Sequence, residues 1–275
     1  LNTRNDTARS NSYSRLAHGL ATKNHQLPEQ VKSIYYLGET CFFSRDFAGA
    51  IPYYEKAIPI YTQLKDTFSV INCYSSLGLS YHNIDQGERA IAYYIEGLKL
   101  CGRDQEYAAE ILHNIGNVHR RMQNHRDAIN YYRQAKAINS SIKDSISLAV
   151  NYNGLGESFL ILEQPDSSLV SFSRAHLLFK KMHNTAYQAI ALANLGAAYA
   201  NYPDSLKKAS EAYNQAWLKF QELGLNHYED AIKSGLGDIL TKQGKHKDAA
   251  KSYLESLQLS EHFNKGFEAK KLVCE

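Results

Sequence analysis

The chain has 275 residues, 44% of them hydrophobic, and its 31 Lys and Arg against 28 Asp and Glu give a formal net charge of +3. That length can bury a sizeable apolar core, whereas a nucleic-acid surface would show a concentrated basic stripe, and no Lys/Arg run here exceeds two residues, as in Lys180-Lys181, Lys207-Lys208 and Lys270-Lys271. No stretch approaches the roughly 20 apolar residues of a membrane span, no signal peptide is visible, and the cysteines Cys41, Cys73, Cys101 and Cys274 lack metal-ligand spacing and read as buried thiols.

From the N-terminus, residues 1–30 read as a polar segment with a capping helix. Asn2 to Ser14 is polar, and Tyr13 and Ala17 are spaced to pack as a second helix of a preceding unit would, which predicts a helix over about Thr7 to Lys23. The chain begins at Leu1 without an initiator Met, and Phe267 to Val273 reads as the start of a further helix over 265–275, so a fragment of a longer protein is expected.

Between these ends lie six units, about 31–66, 67–104, 105–144, 145–184, 185–225 and 226–264. Leu37-Gly38, Leu77-Gly78, Ile115-Gly116, Leu155-Gly156, Leu195-Gly196 and Leu236-Gly237 recur at intervals of 40, 38, 40, 40 and 41 residues. Downstream of each glycine comes a small-x-x-x-aromatic-x-x-small run: Ala50-Tyr54-Ala57, Ala90-Tyr94-Gly97, Ala128-Tyr132-Ala135, Ser168-Phe172-Ala175, Ala209-Tyr213-Ala216 and Ala249-Tyr253-Ser256. Steps of four and three put these side chains on one face of a second helix. Cys41, Tyr81, His119, Phe159, Tyr199 and Leu240 complete the apolar stripe of the first. A glycine inside a helix costs about 0.5–1 kcal/mol relative to alanine. Six at one place therefore predict close backbone contact between paired helices, with the aromatic filling the groove beside it.

The turns agree. Lys65-Asp66, Arg103-Asp104, Lys143-Asp144, Asn184-Thr185 and Leu225-Asn226 each offer a side chain that can cap the next helix. Pro59, more than Pro52, is expected to kink or end the first unit's second helix. The early stripe position, held by Ile34, Tyr74, Leu112, Tyr152 and Leu192, passes to Lys233 in the sixth unit and predicts looser packing there. One extra residue between Gly196 and Ala209 predicts a longer turn around Tyr202-Pro203-Asp204-Ser205.

The Leu-Gly and Ala-x-x-x-Tyr-x-x-Ala pattern resembles the tetratricopeptide repeat over about Val31 to Asn264, with a period near 40 in place of the usual ~34 residues. The longer period resembles secreted-peptide receptors, polarity scaffolds and the sensor regions of membrane-tethered regulators in Bacteroidetes. The resemblance implies an all-α, right-handed α-solenoid of stacked antiparallel hairpins, whose first helices line a concave groove.

Residues flanking the buried stripe of each first helix then face that groove. They are Tyr35, Glu39 and Phe42 in the first unit, His82 in the second, and His113, Asn114, Asn117 and Arg120 in the third. Asn153 and Glu157 follow in the fourth and Asn194 in the fifth. Amide side chains donate and accept at once, which suits the backbone of an extended peptide, and Arg120 suits a carboxylate. Long tetratricopeptide repeats often touch ligand backbone through an Asn before the Leu-Gly pair, a place matched by Asn114 and Asn194. The carboxylate clamp of chaperone adaptors is not matched, because Gly154 stands where a further amide is needed.

Chemistry of other kinds is thin. His113, His119 and His125 are six apart and fall on different sides, so metal binding is not expected, and His119 reads as a core histidine. No nucleophile stands beside a base and no phosphate-binding glycine loop occurs, so neither a catalytic residue nor a cofactor is expected. The expected function is a non-catalytic protein- or peptide-binding module, the sensor or interaction region of a larger bacterial signalling or transcriptional regulator. The alternative is a cytoplasmic signalling-peptide receptor or scaffold. The compartment would be periplasmic in a membrane-tethered regulator and cytoplasmic otherwise. Tyr35, Phe42 and Phe43 could instead pack on the N-terminal helix or form a homodimer contact.

Overall fold

Short polar side chains start the helices where the sequence places them. Asp46 accepts from the Gly49 N–H, Asp66 from Ser69, Asp104 from Tyr107, Asp144 from Ile146 and Ser147, and Asn184 from Tyr187, at 2.9–3.3 Å. Each cap satisfies N–H groups that the first helical turn leaves without an internal partner. The turns that precede the helices share a second device. The N–H groups of Asp46, Asp66, Gln86, Asn124, Gln164, Asn184, Leu225 and Lys245 each donate to the carbonyl five residues earlier. The residue before each donor has a positive φ, as at Arg45 (64°) and Gly244 (74°). This is the Schellman arrangement, which closes the end of one helix and redirects the chain into the next.

The computed structural model describes Leu16, Gly19 and residues 26–272, with side chains as far as Glu261. The capping helix expected over Thr7 to Lys23 lies outside the described residues apart from Leu16 and Gly19, both helical. Twelve α-helices follow: α1 (Leu27–Phe43), α2 (Phe47–Gln63), α3 (Thr67–Asn83), α4 (Gly87–Leu100), α5 (Gln105–Arg121) and α6 (His125–Ser141). The series continues with α7 (Ser145–Ile161), α8 (Pro165–Lys181), α9 (Thr185–Tyr199), α10 (Leu206–Glu222), α11 (Glu229–Lys242) and α12 (His246–Leu272). No strand occurs among the described residues.

The chain divides into two compact units, residues 1–143 and 144–275. The first holds the hairpins α1–α2, α3–α4 and α5–α6, with α2 packed on α3 and α4 on α5. The second holds α7–α8, α9–α10 and α11–α12, with α8 packed on α9 and α10 on α11. Each unit is thus a stack of helix hairpins of the α-solenoid type, the fold class expected. Tyr54, Tyr94, Tyr132 and Phe172 are buried at the hairpin contacts. Each such ring contributes on the order of 2–3 kcal/mol by leaving water.

The glycines explain why the rings fit. A β-carbon built on Gly38 would stand 2.8 Å from Tyr54, and one on Gly78, Gly116 or Gly237 would stand 2.7 Å from Tyr94, Tyr132 or Tyr253. Gly196 stands in the same relation to Tyr213 at 2.9 Å, and Gly156 to Phe172 at 2.5 Å. What occupies the space is therefore the aromatic ring, where the sequence led us to expect the backbone of the paired helix.

Other expectations are adjusted as well. In five first helices the residue one place before the predicted early stripe is the more buried of the two, Cys73, Ile111, Asn151, Ala191 and Ile232 against Tyr74, Leu112, Tyr152, Leu192 and Lys233, while Ile34 of the first unit is buried as expected. α2 runs through both prolines. Pro52 and Pro59 remove the N–H partners of the Ala48 and Glu55 carbonyls, but all four residues are exposed, so water can serve those carbonyls and the helix does not end. Asn226 caps nothing; a 3-10 turn spans Asn226–Tyr228 and α11 begins at Glu229. The longer fifth turn is present, as a 3-10 segment over Pro203–Ser205. α12 runs unbroken from His246 to Leu272, through the point near residue 264 where a new helix was expected to begin. Lys233 forms an ion pair with Glu255 of α12 at 2.7 Å, and Tyr253 of that hairpin is 38% exposed where its counterparts are buried. Cys73 and Cys101 are buried and Cys41 half-buried.

Candidate functional site

All eleven candidate residues are half-buried. Their positions follow from the hairpin. With the stripe of each first helix turned into the stack, the residues one and two places off it can reach a ligand without leaving the helix surface.

In the first unit two polar clusters form. Tyr54 of α2 passes its hydroxyl beside Gly38 and donates to Glu39 Oε1 at 2.6 Å. Tyr35 packs on the Tyr54 ring, with centroids 5.5 Å apart, and its hydroxyl lies 3.4 Å from Ser76 Oγ of α3. Burial, with the Glu39 carboxylate beside it, pushes the Tyr54 phenol well above its ordinary pKa, so it remains a donor at all physiological pH values. The second cluster centres on Tyr132 of α6. Its hydroxyl donates to Asn117 Oδ1 at 2.7 Å and accepts from Arg120 Nε at 3.3 Å, while the His113 ring lies 5.4 Å from the Tyr132 ring.

Asn114 differs from its neighbours. It is half-buried on the same face of α5, yet its side chain makes no hydrogen bond among the described residues. His82 of α3 is held in its neutral form chiefly by burial, with Arg121 and Arg120 adding repulsion. Arg121 itself reaches Asp85 at 2.7 Å. Phe42 is the least convincing groove residue, because its ring packs edge-on against Phe43 and Phe47 at the hairpin turn.

In the second unit Asn153, Glu157 and Asn194 come together. Asn153 Nδ2 donates to Glu157 Oε1 at 2.8 Å, and Asn194 Nδ2 of α9 donates to Asn153 Oδ1 at 2.9 Å and to Glu157 Oε1 at 3.4 Å. The reason lies in α8. Where the packing aromatic is a tyrosine and a polar residue follows the glycine, that residue accepts from its hydroxyl, as at Glu39, Asn117 and Asp238. Phe172 has no hydroxyl, and the amides of Asn153 and Asn194 reach Glu157 instead.

Two participants were not among the sequence candidates, the hydroxyls of Tyr54 and Tyr132. The two tyrosines were read only as core rings, yet a polar residue directly after the Leu-Gly or Ile-Gly pair is the signal that such a hydroxyl has an acceptor. His119 packs as the core reading expected, stacked on Tyr131 at 5.1 Å and kept neutral by burial, but it is not satisfied there, because its Nδ1 is buried without a hydrogen-bond partner among the described residues. Among the described residues no group of three or more His, Cys, Asp or Glu could hold a metal ion, and no helix is long and apolar enough to cross a membrane.

Comparison with known proteins places the hairpin. Residues 69–141 match the model of the tetratricopeptide repeat. No curated protein matches the sequence significantly. Among solved structures, BtubC (BKLC) from P. vanneervenii is 20% identical, with a TM-score of 0.70 over 79% of this chain and 92% of that one. A signal transduction ATPase with numerous domains from Pyrococcus horikoshii, described as carrying a tetratricopeptide repeat sensor, is 16% identical, with a TM-score of 0.71 over 90% of this chain and 39% of that one. The Rap conjugation gene regulator of plasmid pLS20, solved in complex with the Phr* peptide, is 15% identical, with a TM-score of 0.61 over 90% and 78% of the two chains. At these identities the likeness is one of fold.

Proposed function

We propose that this chain, an array of tetratricopeptide-type hairpins, is a non-catalytic binding module that receives an extended protein or peptide segment on its first-helix face, as the sensor or interaction region of a larger bacterial signalling or transcriptional regulator. The observation that carries the reading is Asn114. Its side chain makes no hydrogen bond among the described residues and is not buried away from solvent, so both its donor and its acceptor are available to a ligand, and it sits between His113 and Asn117, which both contact Tyr132. An extended peptide offers alternating N–H and C=O groups that one amide can meet in both senses.

Two structural neighbours support the reading by their own descriptions, one a sensor and one a peptide complex. The ordered amides of Asn153 and Asn194 would serve the same ligand chemistry in the second unit, and Arg120 would pair with a carboxylate on it.

The test begins with a random peptide library selected against the immobilised protein. A selected peptide should bind the Asn114→Ala variant roughly tenfold more weakly, the loss of about 1.4 kcal/mol that one hydrogen bond to ligand provides. Equal affinity for the variant and the parent would remove the first-helix face of that unit from the site.

A further inference from the structure

The second unit carries a basic depression at the turn between α8 and α9. α8 ends in Lys180 and Lys181, the next turn carries His183, α9 opens with Thr185 and Gln188, and Lys219 of α10 reaches the same space of about 680 Å³, with Leu177 on its wall. Among the described residues no carboxylate forms an ion pair with any of the three lysines. Their field reaches inward: His176, kept neutral first by its burial, is held there further by Lys180 and Lys219.

The architecture does not call for these lysines. Counted from the packing aromatic, the positions of Lys180 and Lys181 are filled elsewhere by Thr62 and Gln63, Gly102 and Arg103, Ser140 and Ser141, and Gln221 and Glu222. The position of Lys219 is filled by Ile60, Leu100, Ile138 and Leu178. Three cations therefore converge at one place in the repeat array, against their mutual repulsion, where no other copy compared carries more than one cation at these positions, Arg103.

The lining also limits the ligand. Leu177, Lys180, Lys181 and His183 are exposed, Thr185, Gln188 and Lys219 half-buried, and none is fully enclosed. Small anions are held by concave sites that bury most of their surface. An open, elongated set of cations beside an exposed leucine suits a chain with its own spacing of carboxylates and apolar groups.

We propose that this depression docks an acidic segment of a partner protein, with Asp or Glu side chains on Lys180, Lys181 and Lys219 and an apolar side chain on Leu177. It is a second interaction surface, separate from the first-helix face in residues and in chemistry. Thr185 and Gln188 supply donors and acceptors for the segment's backbone.

The experiment uses the intact chain and a blocked octapeptide, Glu-Glu-Leu-Glu-Glu-Leu-Glu-Glu, followed by amide resonances. The wild-type protein should show shifts confined to residues 177–188 and around Lys219, and the same peptide with Gln for Glu should cause none. Replacing Lys180, Lys181 and Lys219 together by Ala should weaken binding at least about tenfold, while replacing Lys207, Lys208 and Lys251, an equal change in net charge, should change it less than about twofold. Equal loss in both triple variants would show a diffuse charge effect and overturn the proposal. So would binding of the Gln peptide, or shifts caused at these residues by inorganic phosphate but not by the Glu peptide. The wild-type shift map decides the matter even if a triple variant folds poorly.

Discussion

Gly156 of α7 lies so close to the ring of Phe172 in α8 that a β-carbon on it would stand 2.5 Å from Phe172 Cε1. The ring is fully buried and cannot retreat, so the glycine is a requirement of the packing and not a tolerated weakness. Gly97 makes the useful contrast. It is also buried in a helix, but its β-carbon would meet only the end of the Ile111 side chain, at 3.2 Å, and Tyr74 Cβ at 3.3 Å. Ala57, Ala135, Ala175 and Ala216 occupy the matching place in other hairpins.

Gly156→Ala is therefore expected to destabilise by about 1–3 kcal/mol, because overpacking outweighs the gain in helix propensity. Gly97→Ala should be neutral or stabilising by up to about 1 kcal/mol. Chemical denaturation of the two variants checks both signs. If Gly156→Ala matched or exceeded the parent, ring-on-glycine packing could not be what fixes the hairpin.

The two asparagines of α5 should separate structure from binding. Asn117 accepts from the buried Tyr132 hydroxyl at 2.7 Å, so Asn117→Ala should cost about 1 kcal/mol of stability. Asn114 has no such bond, and Asn114→Ala should stay within about 0.5 kcal/mol of the parent. Thermal melts of the two single variants compare them directly; an equal loss in both would show that Asn114 supports the fold.

Much of this was legible in the sequence, because a repeat prints the same constraint many times. Six glycines in register with six aromatics gave the hairpin, and Asp66, Asp104, Asp144 and Asn184 marked where helices begin. The half-burial of the eleven candidate residues follows from helical phase, since they flank the buried stripe of each first helix. Less legible were features that depend on atoms beyond the side-chain class. Nothing in a core-aromatic reading tells Tyr132, which organises Asn117 and Arg120, from Phe172, which leaves Glu157 to the amides. Lys180-Lys181 looked like a solvated doublet, since Lys219, 38 residues after Lys181, joins it only through the fold. The prolines of α2 misled because their cost depends on where the freed carbonyls point, and here they point to water.

Four histidines set a pH dependence. His82, His119, His125 and His176 all have pKa values lowered from 6.5, with burial as the first cause in each. The unfolded chain therefore binds more protons than the folded one below about pH 6.5, and stability rises with pH through that window. The contribution is complete above the unfolded value and is lost as pH falls toward the folded values. A melting temperature lower at pH 5.5 than at pH 7.5 is expected, with a shallower slope in His119→Phe, where the ring can still stack on Tyr131. A melting temperature that rose on acidification would reverse the sign and contradict the burial argument.

The thiols should rank by burial. Cys73 is pushed up to about 12 by burial, and Cys101 is raised for the same first reason, so neither forms thiolate near pH 8. Among the described cysteines Cys41 is half-buried and should be modified by a thiol reagent before the other two, with Cys73 and Cys101 reacting only when the hairpins open. Peptide mapping after partial modification reads the order, and early labelling of Cys73 would mean that α3 is not packed as described.

The most direct test of the whole account is to map a library-selected peptide onto the protein by amide resonance shifts. The account predicts perturbations along the first helices, at Asn114, Asn117 and Arg120 in one unit and Asn153, Glu157 and Asn194 in the other. Shifts confined to the second helices, with these six residues unmoved, would contradict it.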